Sequence, residues 1–298
     1  MTTAQYLIQQ AINAISIGSL YALMAIGLAM VFGILRLINF AHGDLIMVGS
    51  YAAWLALVLG APFWLAAIVG IASSTIAGLL MERAAYRPIR GAPSVAMLLT
   101  SFAVTILLEN VAILLFKPTP RAFPTPPILS EALNFGPLRI SSVDLLAIGI
   151  ALVLLVLLTL FVRRTEIGIS MRASSEDLLG AQLMGININA VIAYAFAIGS
   201  MMAGVVGILW SIRVGKIDPL MGFYPVLKAF VASVIGGLGS LPGAVLGGYL
   251  LGVLEILLQG LLPQALTSYR DAFVFIILIV LLLFRPNGLL GSTEKEKI

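Results

Sequence analysis

Residues 145–162 read LLAIGIALVLLVLLTLFV and contain no Asp, Glu, Lys or Arg. A helix needs about 20 predominantly apolar residues to cross the hydrocarbon core of a bilayer. Other uncharged runs cover residues 45–81, 178–212 and 229–254, and no charged residue precedes Arg36. A single signal peptide or anchor does not account for so many runs. The sequence therefore predicts an integral membrane protein that crosses the bilayer several times.

The composition agrees with that prediction. The 298 residues are 61% hydrophobic and only 10% charged, and their mean hydropathy is +1.11. Because soluble domains contain about 25% charged residues, lipid rather than water must cover most of this chain. The net charge of +4 fits basic cytoplasmic loops better than nucleic-acid binding. The absence of Cys excludes thiolate sites, and a single His makes a poor metal site, so we predict no metal.

The apolar runs predict an all-α polytopic fold, with one transmembrane domain over residues 1–298 and about eight transmembrane helices. We place these helices near residues 7–34, 44–60, 62–81, 95–116, 143–162, 190–210, 244–262 and 270–285. A further apolar segment, 222–236, is too short to cross alone and predicts a re-entrant half-helix. Basic residues collect on cytoplasmic loops. Because segments 82–94 and 163–189 and the tail with Arg285, Lys295 and Lys297 are basic, we predict the N-terminus outside and the C-terminus inside.

Two polar or glycine-rich segments interrupt the apolar pattern. The run Asn39–Asp44 reads NFAHGD, in which Gly43 allows a break and Asp44 can cap the following helix. Residues 236–243 read GGLGSLPG and follow the half-helix. Irregular backbone at membrane depth is tolerated only where protein buries it or where it lines a watery cavity. Each segment is therefore either part of a translocation pathway or an ordinary capped turn.

Three polar side chains, Glu109, Asn110 and Glu255, fall inside the predicted spans, and Lys228 falls in the half-helix. Charged groups in lipid are rare, so each of them faces a polar cavity, pairs with another group or joins a subunit contact. Small residues also recur every four positions, at Gly199, Ala203 and Gly207, at Gly243 and Gly247, and at Gly248 and Gly252. This spacing is typical of close helix packing in lipid.

Two loops are long enough to contact partners. Residues 117–142 include six prolines, too many for a helix, and form either an extracytoplasmic docking rim or a linker. Residues 163–189 are charged, and Leu178, Leu179, Leu183 and Met184 fall at helical spacing within them. Ser175, Glu176 and Asp177 predict an acidic start for this short helix, and Gly185 predicts its end. The helix either contacts a soluble partner or lies on the lipid surface.

The chain has no recognisable route to ATP hydrolysis or to other catalysis. Its only Gly-Lys pair, Gly215-Lys216, precedes Ile217 and lacks the pattern of a phosphate-binding loop. There is no Gly-x-Ser-x-Gly or His-Glu-x-x-His motif. We therefore predict a chain without catalytic residues or a cofactor of its own.

At this point the sequence resembles a known family. The run Arg172–Ile186 resembles the coupling loop of ABC importer permeases. The segments Asn39–Asp44 and 229–248, together with the tail Arg285–Gly291, resemble the high-affinity branched-chain amino acid permeases of the LivH type. The similarity extends from about residue 5 to 291. Sister permeases for urea and short amides share much of the pattern, so the substrate is less specified than the family.

The resemblance implies a bacterial or archaeal inner-membrane importer that moves Leu, Ile and Val. It implies a second related permease subunit, two cytoplasmic ATP-binding subunits that hold ATP and Mg, and an extracytoplasmic substrate-binding protein. The residues expected to couple to the ATPase are Arg172, Glu176, Asp177, Ala181 and Gly185. The candidate pathway residues are Asn39, His42, Gly43, Asp44, Glu109, Gly237, Gly239 and Ser240. Two other classes stay open: a stand-alone secondary transporter or channel, and a membrane enzyme, which the scattered carboxylates disfavour.

Overall fold

The computed structural model describes residues 3–136 and 138–291. Pro137 of the Pro-rich loop and Lys295 and Lys297 of the basic tail lie outside these residues. Seven helices in the described part are long and apolar enough to cross a membrane. This finding confirms the all-α, polytopic fold class.

The helices and strands follow one another along the chain with few long connections. In chain order the helices are α1 (Thr3–Leu35), α2 (His42–Val58), α3 (Phe63–Met81), α4 (Ser94–Phe116), α5 (Pro127–Ser130), α6 (Ser142–Arg164), α7 (Glu166–Glu176), α8 (Leu178–Leu183), α9 (Ile188–Val214), α10 (Phe223–Gly236), α11 (Leu241–Leu261) and α12 (Arg270–Phe284). The helix α3 continues as a π turn and a 3₁₀ turn to Ile89, and a 3₁₀ turn, Gln264–Tyr269, precedes α12. Four short strands, β1 (Arg121–Ala122), β2 (Ala132–Phe135), β3 (Leu138–Ser141) and β4 (Lys216–Ile217), form the antiparallel pairs β1–β4 and β2–β3.

The predicted spans correspond to these helices. The seven long ones are α1, α3 with its extension, α4, α6, α9, α11 and α12 with the preceding 3₁₀ turn. With 17 residues, α2 is a shorter apolar helix than these seven and is at the lower limit for crossing a bilayer. The predicted half-helix is α10, which has 14 residues. The Pro-rich loop was predicted without a helix, and this was wrong for one turn, α5, because a helix tolerates proline in its first turn.

One helix forms the centre of the bundle. In α1, 89% of the membrane-spanning window is buried, against 17% in α4 and 11% in the α12 window. The helix α1 packs against α11, α9, α10 and α6, while α2 and α3 pack on α9. Because α1 is surrounded by protein, it is apolar on all sides rather than amphipathic. The helices α4 and α12 lie at the periphery.

Close helix contacts occur where the small residues recur in the sequence. A Cβ atom on Gly252 of α11 would lie 2.6 Å from the Cα of Gly18 in α1. One on Gly199 of α9 would lie 2.9 Å from the carbonyl oxygen of Gly27. Gly247 lies in the same way against Ala232 of α10. The predicted close packing is therefore confirmed, and its contacts lie within this chain.

The loops divide between the two ends of the bundle. At one end, the β2–β3 hairpin meets the start of α1, where Gln9 exchanges side chain–backbone hydrogen bonds with Arg139. At the other end lie α7 and α8, together with the end of α1. Arg36 there contacts the carbonyl of Ser175 in α7, with its Nη2 3.5 Å from the oxygen. We refer to this second end of the bundle as the α7–α8 end.

The substitution Gly252→Ala tests the contact between α1 and α11. The added methyl group has no space beside Gly18, so we expect a loss of about 1–3 kcal/mol in the free energy of unfolding. Gly149→Ala in α6 is the matched control, because a Cβ atom there meets no other atom within 4 Å. Both changes add the same helix propensity. Equal unfolding midpoints of the two purified variants in a denaturing-detergent titration would contradict the contact.

Candidate functional site

The second helix begins inside the bundle, not at its edge. The ring of His42 packs on Gly27, where an added Cβ atom would lie 2.7 Å from the ring Cε1. Gly27 precedes the end of α1 by eight residues, or about 12 Å of helix. The connection between Leu35 and His42 therefore returns alongside α1 before α2 starts. This geometry places the polar run Asn39–Asp44 within the protein interior.

Three polar side chains of this run are almost completely buried. Asn39, His42 and Asp44 are each 1% exposed. The amide oxygen of Asn39 accepts a hydrogen bond of 2.7 Å from the hydroxyl of Tyr86. Asn39 Nδ2, His42 Nε2 and Asp44 Oδ2 have no hydrogen-bond partner among the described residues. Unpaired buried polar atoms are unfavourable and uncommon, so they mark this cluster as a candidate site for a polar ligand.

The helix α4 contributes a row of polar side chains to this cluster. Ser101, Thr105 and Glu109 are spaced by four residues and therefore share one face of α4. Thr105 is close to the Asp44 carboxylate, and Glu109 acts on it through charge at longer range. The predicted pathway residues Asn39, His42 and Asp44 are thus brought together, with Glu109 within electrostatic range of them. We call them, with Thr105, the polar cluster.

Sequence reasoning missed Ser101, Thr105 and Tyr86. The four-residue spacing of polar groups leading to Glu109 was a signal that could have revealed the two residues of α4. Tyr86 had no such signal, because it lies beyond α3 and reaches Asn39 only through the fold.

Aromatic rings border the polar cluster. Phe40 stacks on Phe102 of α4 with their ring centroids 4.9 Å apart, and it meets Phe230 of α10 at 5.9 Å. Phe40 therefore lies between α4 and α10 beside the buried polar atoms. The region combines an apolar wall with a few convergent polar groups, as binding sites for small molecules commonly do.

Two predictions about the start of α2 were wrong. Asp44 does not cap the helix, because Ala41 is at the N-cap position and no side chain caps it. Gly43 is not a break but part of the helix, where an added Cβ atom would collide with the carbonyl of Gly222. The N–H groups of residues 42–44 are not free, since they donate to the carbonyls of residues 39–41. The glycine is needed for the close approach of α10.

The glycine-rich segment 236–243 forms a turn remote from the polar cluster. Gly237 and Gly239 have φ of +108° and +84°, which favour glycine. Gly239 lies beside Gly33, six residues or about 9 Å further along α1 than Gly27. The Ser240 hydroxyl accepts a hydrogen bond from the Gly243 N–H at 3.2 Å and so caps α11. This geometry is that of a capped turn, and a pathway role for Gly237, Gly239 and Ser240 stays a prediction.

A segment near the C-terminus forms hydrogen bonds with the end of α10, just before this turn. The N–H groups of Leu289 and Leu290 donate to the carbonyls of Ile235 and Gly236, both at 2.9 Å. Both residues belong to the tail Arg285–Gly291, which resembles the LivH-type permeases. This tail therefore provides donors for the last carbonyl groups of α10, which would otherwise lack partners.

The buried charges Lys228 and Glu255 pair with each other and with the start of α12. The ammonium group of Lys228 lies 2.5 Å from Asp271 Oδ1 and 3.5 Å from Glu255 Oε2. Arg270 lies 2.7 Å from Glu255 Oε1, and the Tyr21 hydroxyl donates to Oε2 at 2.6 Å. Two cations and two carboxylates balance one another in this charge network. The network joins α10, α11 and α12 to α1.

Asn110, the remaining polar side chain that the sequence places in a span, is exposed and donates a hydrogen bond to the carbonyl of Ile106.

The predicted coupling loop contains two helices instead of one. Asp177 separates them, and its Oδ1 accepts hydrogen bonds of 3.0 Å from the N–H groups of Leu179 and Gly180 at the start of α8. The predicted helix start was therefore wrong for Ser175 and Glu176, which belong to α7. Gly185, with φ of +85°, follows the end of α8 as predicted.

The second of these helices presents an apolar tip to the outside. Leu179, Leu183 and Met184 are 71%, 88% and 83% exposed. Ala181, one of the predicted coupling residues, is instead buried on the inner side of α8, and Arg172 and Glu176 are exposed on α7. A cluster of exposed apolar side chains bounded by charged residues is typical of a protein-binding surface.

Comparison with known proteins assigns the family. Residues 10–282 match the model of the family described as the permease component of branched-chain amino acid transport systems. The chain belongs to this family. The permease is 39% identical to the high-affinity branched-chain amino acid transport system permease protein BraD of Pseudomonas aeruginosa, over the full length of both chains. It is 37% identical to the Escherichia coli permease protein LivH, over 98% of each chain, and 29% identical to a probable LivH of Methanocaldococcus jannaschii, over 95% and 92%.

The family assignment confirms the predicted resemblance. It also agrees with the absence of an ATP-binding motif from the permease, because the family contains the permease component of a larger transport system. Among the described residues, no three or more His, Asp or Glu side chains are grouped to hold a metal ion.

The substitution Lys228→Met tests the charge network. It leaves Glu255 and Asp271 with Arg270 as the one cation that pairs with them among the described residues, so we expect a loss of about 3–5 kcal/mol in the free energy of unfolding. The double variant Lys228→Met/Glu255→Gln restores the charge balance and keeps an acceptor for Tyr21. We expect it to recover more than half of that loss, measured by thermal unfolding of purified protein. Additive losses would contradict the network.

Proposed function

We propose that the permease is the membrane-spanning subunit of an ATP-driven importer that carries branched-chain amino acids, namely Leu, Ile and Val, across the inner membrane. The observation that carries this proposal is the full-length similarity to permease components of branched-chain amino acid transport systems. The absence of a nucleotide motif fits a chain whose ATP and Mg are bound by separate subunits.

The polar cluster is the proposed contact site for the substrate in the pathway. A free amino acid carries an ammonium and a carboxylate group, and neither enters hydrocarbon without compensation. Asp44 and Glu109 offer carboxylates to the ammonium group. The N-terminal end of α10 lies against the start of α2 where Gly222 touches Gly43, and the helix dipole of α10 favours the substrate carboxylate. The rings of Phe40 and Phe102 give the branched side chain an apolar surface.

The apolar tip of α8 is the proposed docking site for the ATPase. Its side chains Leu179, Leu183 and Met184 project away from the bundle, while Asp177 and Gly185 fix the start and end of the helix. The sequence led us to expect that all five predicted coupling residues contact the ATPase, and this proposal gives them different roles. Asp177, Ala181 and Gly185 shape the helix, and Arg172 and Glu176 form its charged surroundings.

The remaining parts of the importer follow from the same proposal. A second related permease subunit pairs with this chain, two ATP-binding subunits bind at the α7–α8 end, and an extracytoplasmic binding protein meets the opposite end. This assignment makes the α7–α8 end cytoplasmic. It places the N-terminus outside and the C-terminus inside, as the distribution of Lys and Arg predicts.

The substitution Asp44→Asn tests the pathway. It keeps the shape of the side chain and removes its charge, so we expect uptake of radiolabelled leucine to fall at least tenfold in proteoliposomes with the complete transporter. Assembly of the complex is expected to be unchanged. Glu131→Gln, which neutralises an exposed carboxylate in the 117–142 loop, is the matched control. Wild-type uptake in Asp44→Asn would exclude this site, and uptake by the permease without its ATPase would indicate a secondary transporter.

The substitution Leu183→Asp tests the docking tip. A charge at the centre of an apolar contact removes a hot spot, so we expect capture of the purified ATPase to weaken about 30-fold or more. Leu183→Met keeps the surface apolar and is expected to bind as the wild type does. Binding of the ATPase at wild-type strength by Leu183→Asp in a pull-down titration would place the docking site elsewhere.

A further inference from the structure

A crevice opens between α6 and the start of α11, beside the second half of α1. Its volume is about 610 Å³. Its walls are mainly apolar and include Ile26, Met30, Leu155 and Leu158. The polar residues that line it are Thr159, Arg163, Arg172, Ser175 and Ser240. This crevice is separate from the polar cluster and from the tip of α8.

Both ends of α6 are fixed, which keeps the crevice open. Toward its start, Asp144 forms an ion pair with Arg213 of α9 and accepts a hydrogen bond of 2.7 Å from Ser16 of α1. Toward its end, Gly168 of α7 packs directly against the backbone of Phe161 and Val162. The helix α6 is therefore held to its neighbours above and below the crevice, and its wall is a stable surface.

The positive charge of the crevice lies at one end. Arg163 and Arg172 form no ion pair with any residue of the described chain. Other arginines do so within this bundle: Arg90 pairs with Glu82, and Arg270 with Glu255. The side chain of Arg36 lies close by, at the carbonyl of Ser175. The crevice thus ends in guanidinium groups that lack an anion from the chain itself.

The depth of the crevice is close to that of half a bilayer. From Leu155 to Arg163, the lining residues of α6 are separated by eight residue steps, or about 12 Å of helix. One leaflet of the hydrocarbon core is about 15 Å thick. An occupant that fits must be apolar along this length and negatively charged at the end with the arginines.

We propose that the crevice binds one anionic phospholipid of the inner leaflet. Its phosphate contacts Arg163 and Arg172, and an acyl chain lies against the apolar walls formed by α1 and α6. Basic pockets between transmembrane helices on the cytoplasmic side are suited to anionic headgroups. The placement in the inner leaflet rests on the proposed orientation, in which the α7–α8 end is cytoplasmic. The lipid joins α6, α7 and α11 at the base of the proposed coupling helices.

The first arm of the test removes the charge. Wild type, Arg163→Ala and Arg164→Ala are purified in mild detergent, and retention of added phosphatidylglycerol is titrated by native mass spectrometry. Arg164 is the matched control, because it is the adjacent arginine and does not line the crevice. We expect about fivefold weaker retention for Arg163→Ala and wild-type retention for Arg164→Ala. Equal retention by all three proteins, or an equal loss in both variants, would overturn the proposal.

The second arm fills the apolar part. Thr159→Trp places a large side chain in the crevice, whereas Leu160→Trp places one on the neighbouring exposed position outside it. We expect only Thr159→Trp to abolish the lipid-bound species. Both variants are expected to be folded, which unfolding midpoints equal to that of the wild type would show. If Thr159→Trp is misfolded, Thr159→Leu replaces it, and unchanged retention there would count against an acyl chain in the crevice.

The third arm separates the lipid from other occupants. Because the chain has no native Cys, Thr159→Cys supplies a unique thiol. We expect bound phosphatidylglycerol to slow its labelling in the assembled complex, while phosphatidylcholine and inorganic phosphate do not. Equal protection by inorganic phosphate would identify a soluble anion instead of a lipid. Protection by the second permease subunit in lipid-depleted complex would identify a protein contact, and either result overturns the proposal. Failure of leucine uptake, in contrast, bears only on the proposed function.

Discussion

The bundle depends on the direct contact of helix backbones at glycine. Lipid is as apolar as leucine, so transmembrane helices gain little by burying apolar side chains against one another. They associate instead through close packing and interhelical polar contacts. In this chain such contacts join α1 to α11 through Gly18 and Gly252, and α1 to α9 through Gly27 and Gly199. The central position of α1 follows from these contacts on two of its sides.

The same constraint explains how two short helices are accommodated. The helix α10 is too short to cross the bilayer and is held at both ends by backbone contacts, to Gly43 at its start and to Gly243 at its end. Lys228, in its middle, joins it to α11 and α12 through carboxylates. A half-helix fixed in this way places its N-terminal end inside the protein. That end meets the start of α2, and the buried polar atoms of Asn39, His42 and Asp44 lie there.

The sequence predicted the helices better than the site, for a physical reason. Apolarity over about 20 residues is a local property, and so the spans and the half-helix α10 were found without knowledge of the fold. Gly43 and Asp44 were misassigned because a glycine needed for a close contact resembles one needed for a turn. The partners of Lys228 could not be chosen among several carboxylates, since Asp271 follows 43 residues later. Thr105 could have been found from its four-residue spacing to Glu109, whereas Tyr86 became recognisable only once the fold placed it beside Asn39.

The polar cluster and the helices α7 and α8 share one short connection. The connection between α1 and α2 contains Arg36, whose side chain reaches the carbonyl of Ser175 on α7. Three residues later Asn39 accepts a hydrogen bond from Tyr86 in the polar cluster. Arg36 has a φ of +53°, unusual for a residue with a side chain, so packing at both ends must hold this conformation. The buried polar atoms and the helix α7 therefore constrain the same six residues, 36–41.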